Sequence, residues 1–247
     1  MLLKDVFIMA FHPIPTPLEL TDSFSLEGED RIAVSILRKT INEFPKDSNF
    51  FYLDIGCNDP ISLSNTFLFY NLGFSGLCVD PLIESESKFR EKRGRDKFIK
   101  AAVSKDNSFK SLRVYSDDAT SSLDEKTISR YDDKFKIRAT REVETTTLKS
   151  LLEKQDANSY SIPFVDIDVE GMDELVFQQV LQLEFKPLLV CVENKLANLN
   201  TAYPSTQIDR LALESGYSLI CKTLLNSFYI NCESDAFDWI PKSMTKL

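Results

Sequence analysis

Residues Phe50–Pro60 read FFYLDIGCNDP, an apolar run that ends in an acidic residue, a glycine and an asparagine. The run predicts a buried strand over Phe50–Ile55, and the pattern over Ser62–Leu72 predicts a helix after the turn. A strand that runs into a glycine turn and a helix directs backbone N–H groups at a ligand. The turn lacks the G-x-G-x-x-G spacing of a pyrophosphate site, and Asp54 suits a cationic or hydroxylated ligand instead. A plain turn capped by Asn58 or the next aspartate is the alternative.

The alternation of apolar runs and helical patterns continues along the chain. Strands that alternate with helices form right-handed βαβ units, which predicts an α/β fold with a doubly wound, mostly parallel sheet. The last two predicted strands are joined closely enough to form an antiparallel hairpin. The further predicted strands are Gly76–Val79, Phe98–Val103, Pro163–Val169, Leu188–Glu193, Ser218–Leu225 and Phe228–Cys232.

The sequence predicts a single domain over residues 1–247 with two additions. Residues 1–24 form an N-terminal arm that precedes the first helical pattern. Residues 105–144 are polar and are predicted to be irregular, with one strand suggested at Leu112–Tyr115. A long polar segment beside the strand ends is typical of a loop that covers a binding cleft, so we expect it on the acceptor side of the site.

Composition excludes several functions. The formal net charge of −9 over 247 residues argues against nucleic-acid binding, which needs a basic surface. No apolar run approaches the length of a membrane span. The five cysteines never have C-x-x-C spacing, so neither disulfides nor a zinc site is expected. Reduced cysteines predict a cytoplasmic location. The single histidine, His12, lies in the arm, which argues against a histidine base.

Polar side chains stand where three later strands are predicted to end. Asp80 follows the predicted strand Gly76–Val79. Asp168 and Glu170 stand at the end of Pro163–Val169, and Glu193 and Asn194 stand at the end of Leu188–Glu193. Ligands of doubly wound sheets bind outside the carboxyl ends of the strands. An acid after the second strand suits ribose hydroxyls, and neighbouring carboxylates suit general-base chemistry or a cation held by oxygen ligands. Each residue taken alone fits a turn or a helix cap equally well.

Taken in chain order, these motifs resemble the FkbM-type S-adenosylmethionine-dependent methyltransferases. Each motif is weak alone, and the ordered set from about residue 25 to residue 194 is specific. The resemblance implies a class I methyltransferase fold, whose sheet ends in an antiparallel hairpin. The motifs are Leu26–Asp30, Asp54–Asp59, Ser64–Thr66, Gly73–Gly76, Val79–Pro81, Phe89–Asp96, Ala102–Ser104, Thr147–Leu148, Ile167–Gly171 and Val192–Glu193.

The resemblance also implies an activity and a set of residues. The activity is methyl transfer from S-adenosylmethionine to an oxygen, commonly a hydroxyl of a sugar, glycan or polyketide-like small molecule. Asp80 would hold the ribose, Ser104 would lie beside the adenine, and Asp168 and Glu170 would stand at the catalytic site. The residues assigned to cofactor binding are Glu29, Asp54, Gly56, Asn58, Asp80, Ala102 and Ser104.

Two routes can remove the acceptor proton without a histidine. Asp168 or Glu170 can act as general base if burial raises its pKa. Alternatively, Mg²⁺ held by Asp168, Glu193 and Asn194 can lower the pKa of the acceptor hydroxyl, a layout similar to that of catechol-type O-methyltransferases at the level of the fold.

Two departures from the family pattern leave a second function open. Pro60 replaces a glycine in the cofactor loop, where it removes a backbone donor unless it starts the helix, and Met172 replaces a histidine. The alternative function is therefore a cofactor-binding but catalytically silent domain that acts as an interaction partner. A dinucleotide-dependent oxidoreductase is disfavoured by the missing glycine motif.

Overall fold

The computed structural model describes residues 22–44, 50–157, 162–195 and 203–237. Most of the predicted arm, with His12, lies outside the described residues. The helices are α1 Glu29–Glu43, α2 Phe67–Asn71, α3 Ile83–Lys92, α4 Glu125–Tyr131, α5 Leu148–Lys154, α6 Asp173–Leu181 and α7 Gln207–Glu214. The strands are β1 Tyr52–Ile55, β2 Gly76–Asp80, β3 Lys97–Lys100, β4 Ala102–Val103, β5 Ser108–Tyr115, β6 Ile137–Thr146, β7 Phe164–Ile167, β8 Leu189–Glu193, β9 Tyr217–Lys222 and β10 Asn226–Asn231.

The central sheet has seven strands in the order β3-β2-β1-β7-β8-β10-β9. The first five of these run parallel, whereas β10 is antiparallel to both β8 and β9. This topology confirms the predicted mostly parallel sheet with a C-terminal hairpin. The chain leaves β1 toward one edge of the sheet and returns at β7 toward the other. Such a reversal opens a crevice at the carboxyl ends of the two strands.

Helices cover both faces of the sheet. One face packs against α1, α2 and α3 through a core that includes Leu37, Phe69 and Phe89. The other packs against α5, α6 and α7 through residues such as Leu152 and Phe177. Strands buried on both faces are apolar at nearly every position, which is why the sequence showed them as continuous apolar runs. No helix among the described residues combines the length and apolarity needed to cross a membrane.

The segment 105–144 is regular rather than irregular, which corrects the sequence-based expectation. It supplies β5, α4 and β6, and a second sheet forms in the order β4-β6-β5. Leu112, Val114 and Val143 fill a small separate core on one face of this sheet. The opposite face is mostly polar, although it also carries Phe109 and Tyr115. The polar residues give the segment the average composition of a loop and concealed the alternation of its strands. The predicted strand over Phe98–Val103 is divided at Ala101, with one half in each sheet.

A buried cation ties β1 and β2 to the loop that follows β1. The side chain of Arg93 is fully buried and pairs with Asp96 at 2.5 Å. Its guanidinium donates to the hydroxyls of Tyr52 and Thr66 at 3.0 and 2.9 Å, and to the Pro60 carbonyl at 3.3 Å. A buried charge is tolerated only when it is paired and hydrogen bonded, and these contacts meet that condition.

Replacing Arg93→Met is expected to lower the free energy of unfolding by about 3–5 kcal/mol, because Asp96 would remain buried and uncompensated. Denaturant unfolding measures the change. The matched control is Arg90→Met in the last turn of α3, the helix that Arg93 caps, because the exposed pair of Arg90 with Glu86 contributes less than about 1 kcal/mol. Equal losses for the two variants would contradict the role assigned to Arg93.

Candidate functional site

A cleft opens at the carboxyl ends of β1, β2, β4 and β7. Its position at the strand reversal is where such folds bind ligands. We call it the strand-end cleft. Its lining comprises Ile55, Gly56, Asn58, Val79, Asp80, Pro81, Leu82, Ala101, Ala102, Val103, Leu112, Ala119, Ser121, Leu123, Asp168, Val169, Glu170 and Met172.

The turn after β1 forms one wall of this cleft. Gly56 has φ +92°, and a Cβ at this position would overlap the backbone carbonyl oxygen of Asp168. Only glycine combines this φ with so close an approach of two backbone segments. The Gly56 N–H donates to the Val79 carbonyl at 2.9 Å, and Asn58 follows with φ 39°. The turn is therefore held against both neighbouring strands.

Asp80, at the end of β2, anchors the same turn. Its carboxylate accepts hydrogen bonds from the backbone N–H groups of Asn58 at 3.1 Å and Leu82 at 2.8 Å, and from the Ser85 hydroxyl at 3.4 Å. Burial raises its pKa to about 6, although these hydrogen bonds act in the opposite direction. Two carboxylate oxygens offer about four acceptor positions, so one remains for a ligand in the cleft.

Three carboxylates converge beside the strand-end cleft. Asp168, Glu170 and Glu193 each place an oxygen within 4.8 Å of the others. The Oδ1 atom of Asp168 is buried and has no hydrogen-bond partner among the described residues. Burial, and next the charge of Glu193, raise the pKa of Asp168 well above its usual range. Asp173 braces the loop by accepting from the backbone N–H groups of Val169 and Gly171, both at 2.9 Å.

Lys195 supplies the positive charge in this cluster. Its ammonium group lies 2.7 Å from Glu193 and 3.0 Å from Glu170. The Tyr131 hydroxyl of α4 also donates to Glu170, at 2.9 Å. Despite Lys195, burial and then the charge of Asp173 raise the pKa of Glu193 to about 8. These groups border a second cleft, which shares Glu170 with the first.

The structure brings together some of the predicted cofactor residues and separates others. Gly56, Asn58, Asp80 and Ala102 line the strand-end cleft, whereas Glu29, Asp54 and Ser104 lie outside that lining. Each of these three side chains is hydrogen bonded to residues outside the cleft.

Glu29 connects the start of α1 to the C-terminal hairpin. It is buried and accepts from the Thr223 hydroxyl at 3.0 Å and from the Asn226 amide at 3.1 Å. Asp54 is buried beneath the glycine turn, where it accepts from the Thr66 hydroxyl. Burial raises the pKa of Asp54 to about 6, and the nearby charge of Arg93 opposes that rise. Both acids serve the frame around the cleft.

Ser104 and Asn194 also point into hydrogen-bonded surroundings. The Ser104 hydroxyl accepts from Lys110 Nζ at 2.6 Å, and its carbonyl accepts from Gln179 at 3.0 Å. Asn194 is buried, and its amide nitrogen lies 3.1–3.3 Å from three hydroxyls. Its neighbours on this side are Thr206, Ser227 and Tyr229. The hydrogen bonds described for Asn194 are all made by its amide nitrogen, whereas the side chain that places an oxygen close to those of Asp168 and Glu193 is that of Glu170.

The two unusual loop residues occupy defined positions. Pro60 lies in the turn well before α2, not at its first residue, and its carbonyl accepts from Arg93. Met172 precedes α6 as its N-cap and lines the cleft. A proline in this turn leaves no helix hydrogen bond broken.

The sequence assigned no role in the site to Arg93, to Lys195 or to Ser121, which lies in the segment 105–144. Arg93 gave no signal, because it lies in a strongly charged segment that is typical of a solvated helix. Lys195 belongs to the charged triplet Glu193-Asn194-Lys195 that ends a predicted strand, and the sequence assigned the two other residues, but not the lysine, to the site. Ser121 could be assigned only once the fold of its segment was known.

Comparison with known proteins agrees with this architecture. The model of the methyltransferase FkbM domain matches residues 54–219, well over half of the chain. The match includes the glycine turn, Asp80 and the three converging carboxylates. Searches of curated proteins and of solved structures returned no match.

The raised pKa of Asp80 predicts an inverted pH dependence of stability. The pKa of this carboxyl is about 6 in the folded protein and about 3.8 in the unfolded chain, so its ionisation lowers the free energy of unfolding. This loss disappears as the pH falls and the carboxyl is protonated. Relative to Asp80→Asn, the wild type is expected to gain about 2 kcal/mol in unfolding free energy between about pH 7.5 and about pH 4.5. Urea unfolding across this range measures the difference.

Asp59→Asn is the control of opposite sign. Partial burial alone would raise the pKa of Asp59, but hydrogen bonds from the Ile61 and Ser62 N–H groups and from Lys88 lower it. The wild type should therefore lose stability relative to Asp59→Asn as the pH falls. The same pH trend for both comparisons would contradict the assignment for Asp80.

Proposed function

The chain belongs to the FkbM methyltransferase family, and we propose that it transfers a methyl group from S-adenosylmethionine to a hydroxyl oxygen of a sugar, glycan or similar small molecule. The observation that carries this proposal is the continuity of the strand-end cleft. It runs from Gly56 and Asp80, suited to a nucleoside with an amino acid tail, to the unpartnered carboxylate oxygen of Asp168.

The residues of the cleft fit S-adenosylmethionine. Asp80 is an acceptor for ribose hydroxyls, and the turn at Gly56 and Asn58 brings backbone close to the ligand. Apolar side chains such as Leu82 and Val103 suit the adenine ring. When bound, S-adenosylmethionine supplies a methyl group activated by a sulfonium. The protein then has to align the acceptor oxygen and remove its proton.

Asp168 is the proposed general base. A raised pKa gives its carboxylate a high proton affinity, and Oδ1 has no partner among the described residues that would compete for the acceptor hydroxyl. Glu170 and Lys195 are proposed to orient the acceptor, since Glu170 lines both clefts and Lys195, in the second cleft, is paired with it. The second cleft carries both donors and acceptors, among them Tyr131 and Glu193, which is typical of sites that bind polyhydroxyl compounds.

Asp168→Asn is expected to reduce kcat about 100- to 10,000-fold, because the amide cannot accept the proton. The affinity for S-adenosylhomocysteine should remain within about threefold, since burial of an uncharged group at Oδ1 costs no more than burial of the carboxylate. The measurements are methyl transfer from radiolabelled S-adenosylmethionine to a panel of neutral sugars and polyols, and calorimetric titration with S-adenosylhomocysteine. Glu184→Gln, an exposed carboxylate remote from the cleft, is the control.

A catalytically silent domain, the alternative function, predicts a different result for methyl transfer. It predicts that the wild type binds S-adenosylhomocysteine but transfers no methyl group to any acceptor. It is motivated by Pro60 and Met172, and neither residue disrupts the hydrogen bonds of the glycine turn. Failure of the wild type to bind the ligand at all would overturn both functions.

We further propose that the reaction requires no resident Mg²⁺. Lys195 already bonds two of the three carboxylates, and the amide nitrogen of Asn194 donates to hydroxyls on its other side. The residues present do not fit a divalent cation while the ammonium group of Lys195 holds Glu170 and Glu193. A lysine in this place supplies the compensating charge that a metal would otherwise bring.

Chelation with EDTA is therefore expected to leave the methyl-transfer rate unchanged. Lys195→Ala should create a metal site, because it leaves three clustered carboxylates without their cation, and calorimetry should show at least about tenfold tighter Mg²⁺ binding. Lys186→Ala is the matched control, since it removes an exposed lysine from a pair with Glu233. Loss of wild-type activity in EDTA, with recovery on adding Mg²⁺, would refute the metal-free route.

A further inference from the structure

The segment 105–144 contributes part of the strand-end cleft. Leu112 of β5 and three residues of the following loop, Ala119, Ser121 and Leu123, complete a lining that Asp80 and its neighbours begin. Three of these four side chains are apolar. An apolar wall with a single polar group suits a flat aromatic base with polar edge atoms better than a charged amino acid group.

Ser121 provides that polar group. Its Oγ atom is buried and has no hydrogen-bond partner among the described residues. Buried hydroxyls in folded proteins are normally hydrogen bonded, and one left unpaired costs free energy. A hydroxyl of this kind in the lining of an open cleft indicates that its partner belongs to the ligand.

The backbone around Ser121 is fixed by its neighbour. Ser122 and Arg113 exchange backbone N–H to carbonyl hydrogen bonds, both of 3.0 Å. The Ser122 hydroxyl donates to the backbone carbonyl of Glu170 at 2.6 Å and accepts from the Asp124 N–H at 3.0 Å. Ser121 is therefore held in place before any ligand binds, which lowers the entropic cost of using it.

We propose that Ser121 is a ligand-binding residue whose hydroxyl forms a hydrogen bond with the adenosyl part of the cofactor. The inference rests on the proposed function and extends it, because it makes the segment 105–144 part of the cofactor site and not only of the acceptor side. Through Ser122, the same loop also holds the backbone of Glu170. One turn thus contacts the nucleoside and the loop that carries the converging carboxylates.

Ser121→Ala tests the proposal with two probes, S-adenosylhomocysteine and 5′-methylthioadenosine, of which the second lacks the amino acid. Calorimetry is expected to show about three- to tenfold weaker binding of both probes, the effect of one lost hydrogen bond. The melting temperature of the free variant should stay the same or rise, because the deleted hydroxyl has no partner there. If Ser121 had only a structural role, its replacement by alanine would instead lower the melting temperature.

Ser129→Ala is the control, since this exposed serine of α4 bonds only to its own helix in the contacts described for it. Unchanged affinity of Ser121→Ala for both probes would overturn the inference while leaving the proposed function intact. Weaker binding of S-adenosylhomocysteine alone would also overturn it, because the contact would then lie at the amino acid. Failure of the wild type to bind either probe would overturn the proposed function as well.

Discussion

The buried guanidinium of Arg93 is the constraint on which the cleft side of the molecule depends. It has no exposed surface, so its charge has to be balanced within the protein, and Asp96 supplies that balance. Its other N–H groups reach Pro60, in the middle of the loop between β1 and α2, and Thr66, at the end of that loop. Thr66 in turn donates to Asp54 in β1. The glycine turn therefore rests on a frame whose geometry is set by one internal charge.

The fold could be predicted from the sequence because its main signal is local. Strands such as β7, buried on both faces, are continuous apolar runs, and the turn at Gly56 marks where the first of them ends. The second sheet could not be predicted in the same way. Its strands bury Leu112 and Val143 on one face only, and the polar residues between them give the segment the average composition of a loop. Its pairing also joins β4 to β6, far apart in sequence.

The candidate site could be predicted only where a residue lies directly at a strand end. Asp80 and Asp168 meet that condition, because the carboxyl ends of parallel strands share one edge. Glu29 lies at no strand end and contacts the hairpin at Asn226. Ser104 does follow β4, but its hydroxyl is bonded to Lys110 of β5, a contact that the strand pattern does not predict. Patterns along a chain determine which face of a strand is buried. They do not determine which of several buried polar groups a given side chain contacts.

Under the proposed function, the cluster of carboxylates at the strand ends affects which charge of ligand the site prefers. The ammonium group of Lys195 bonds Glu170 and Glu193, and burial together with repulsion from neighbouring carboxylates raises the pKa of Asp168 and Glu193. A second lysine would remove this repulsion and stabilise the free protein. The imbalance instead favours a ligand that brings its own positive charge, as a sulfonium does, over the uncharged thioether left after transfer. The same repulsion that destabilises the empty site thus discriminates between donor and product, so full charge pairing would weaken that preference.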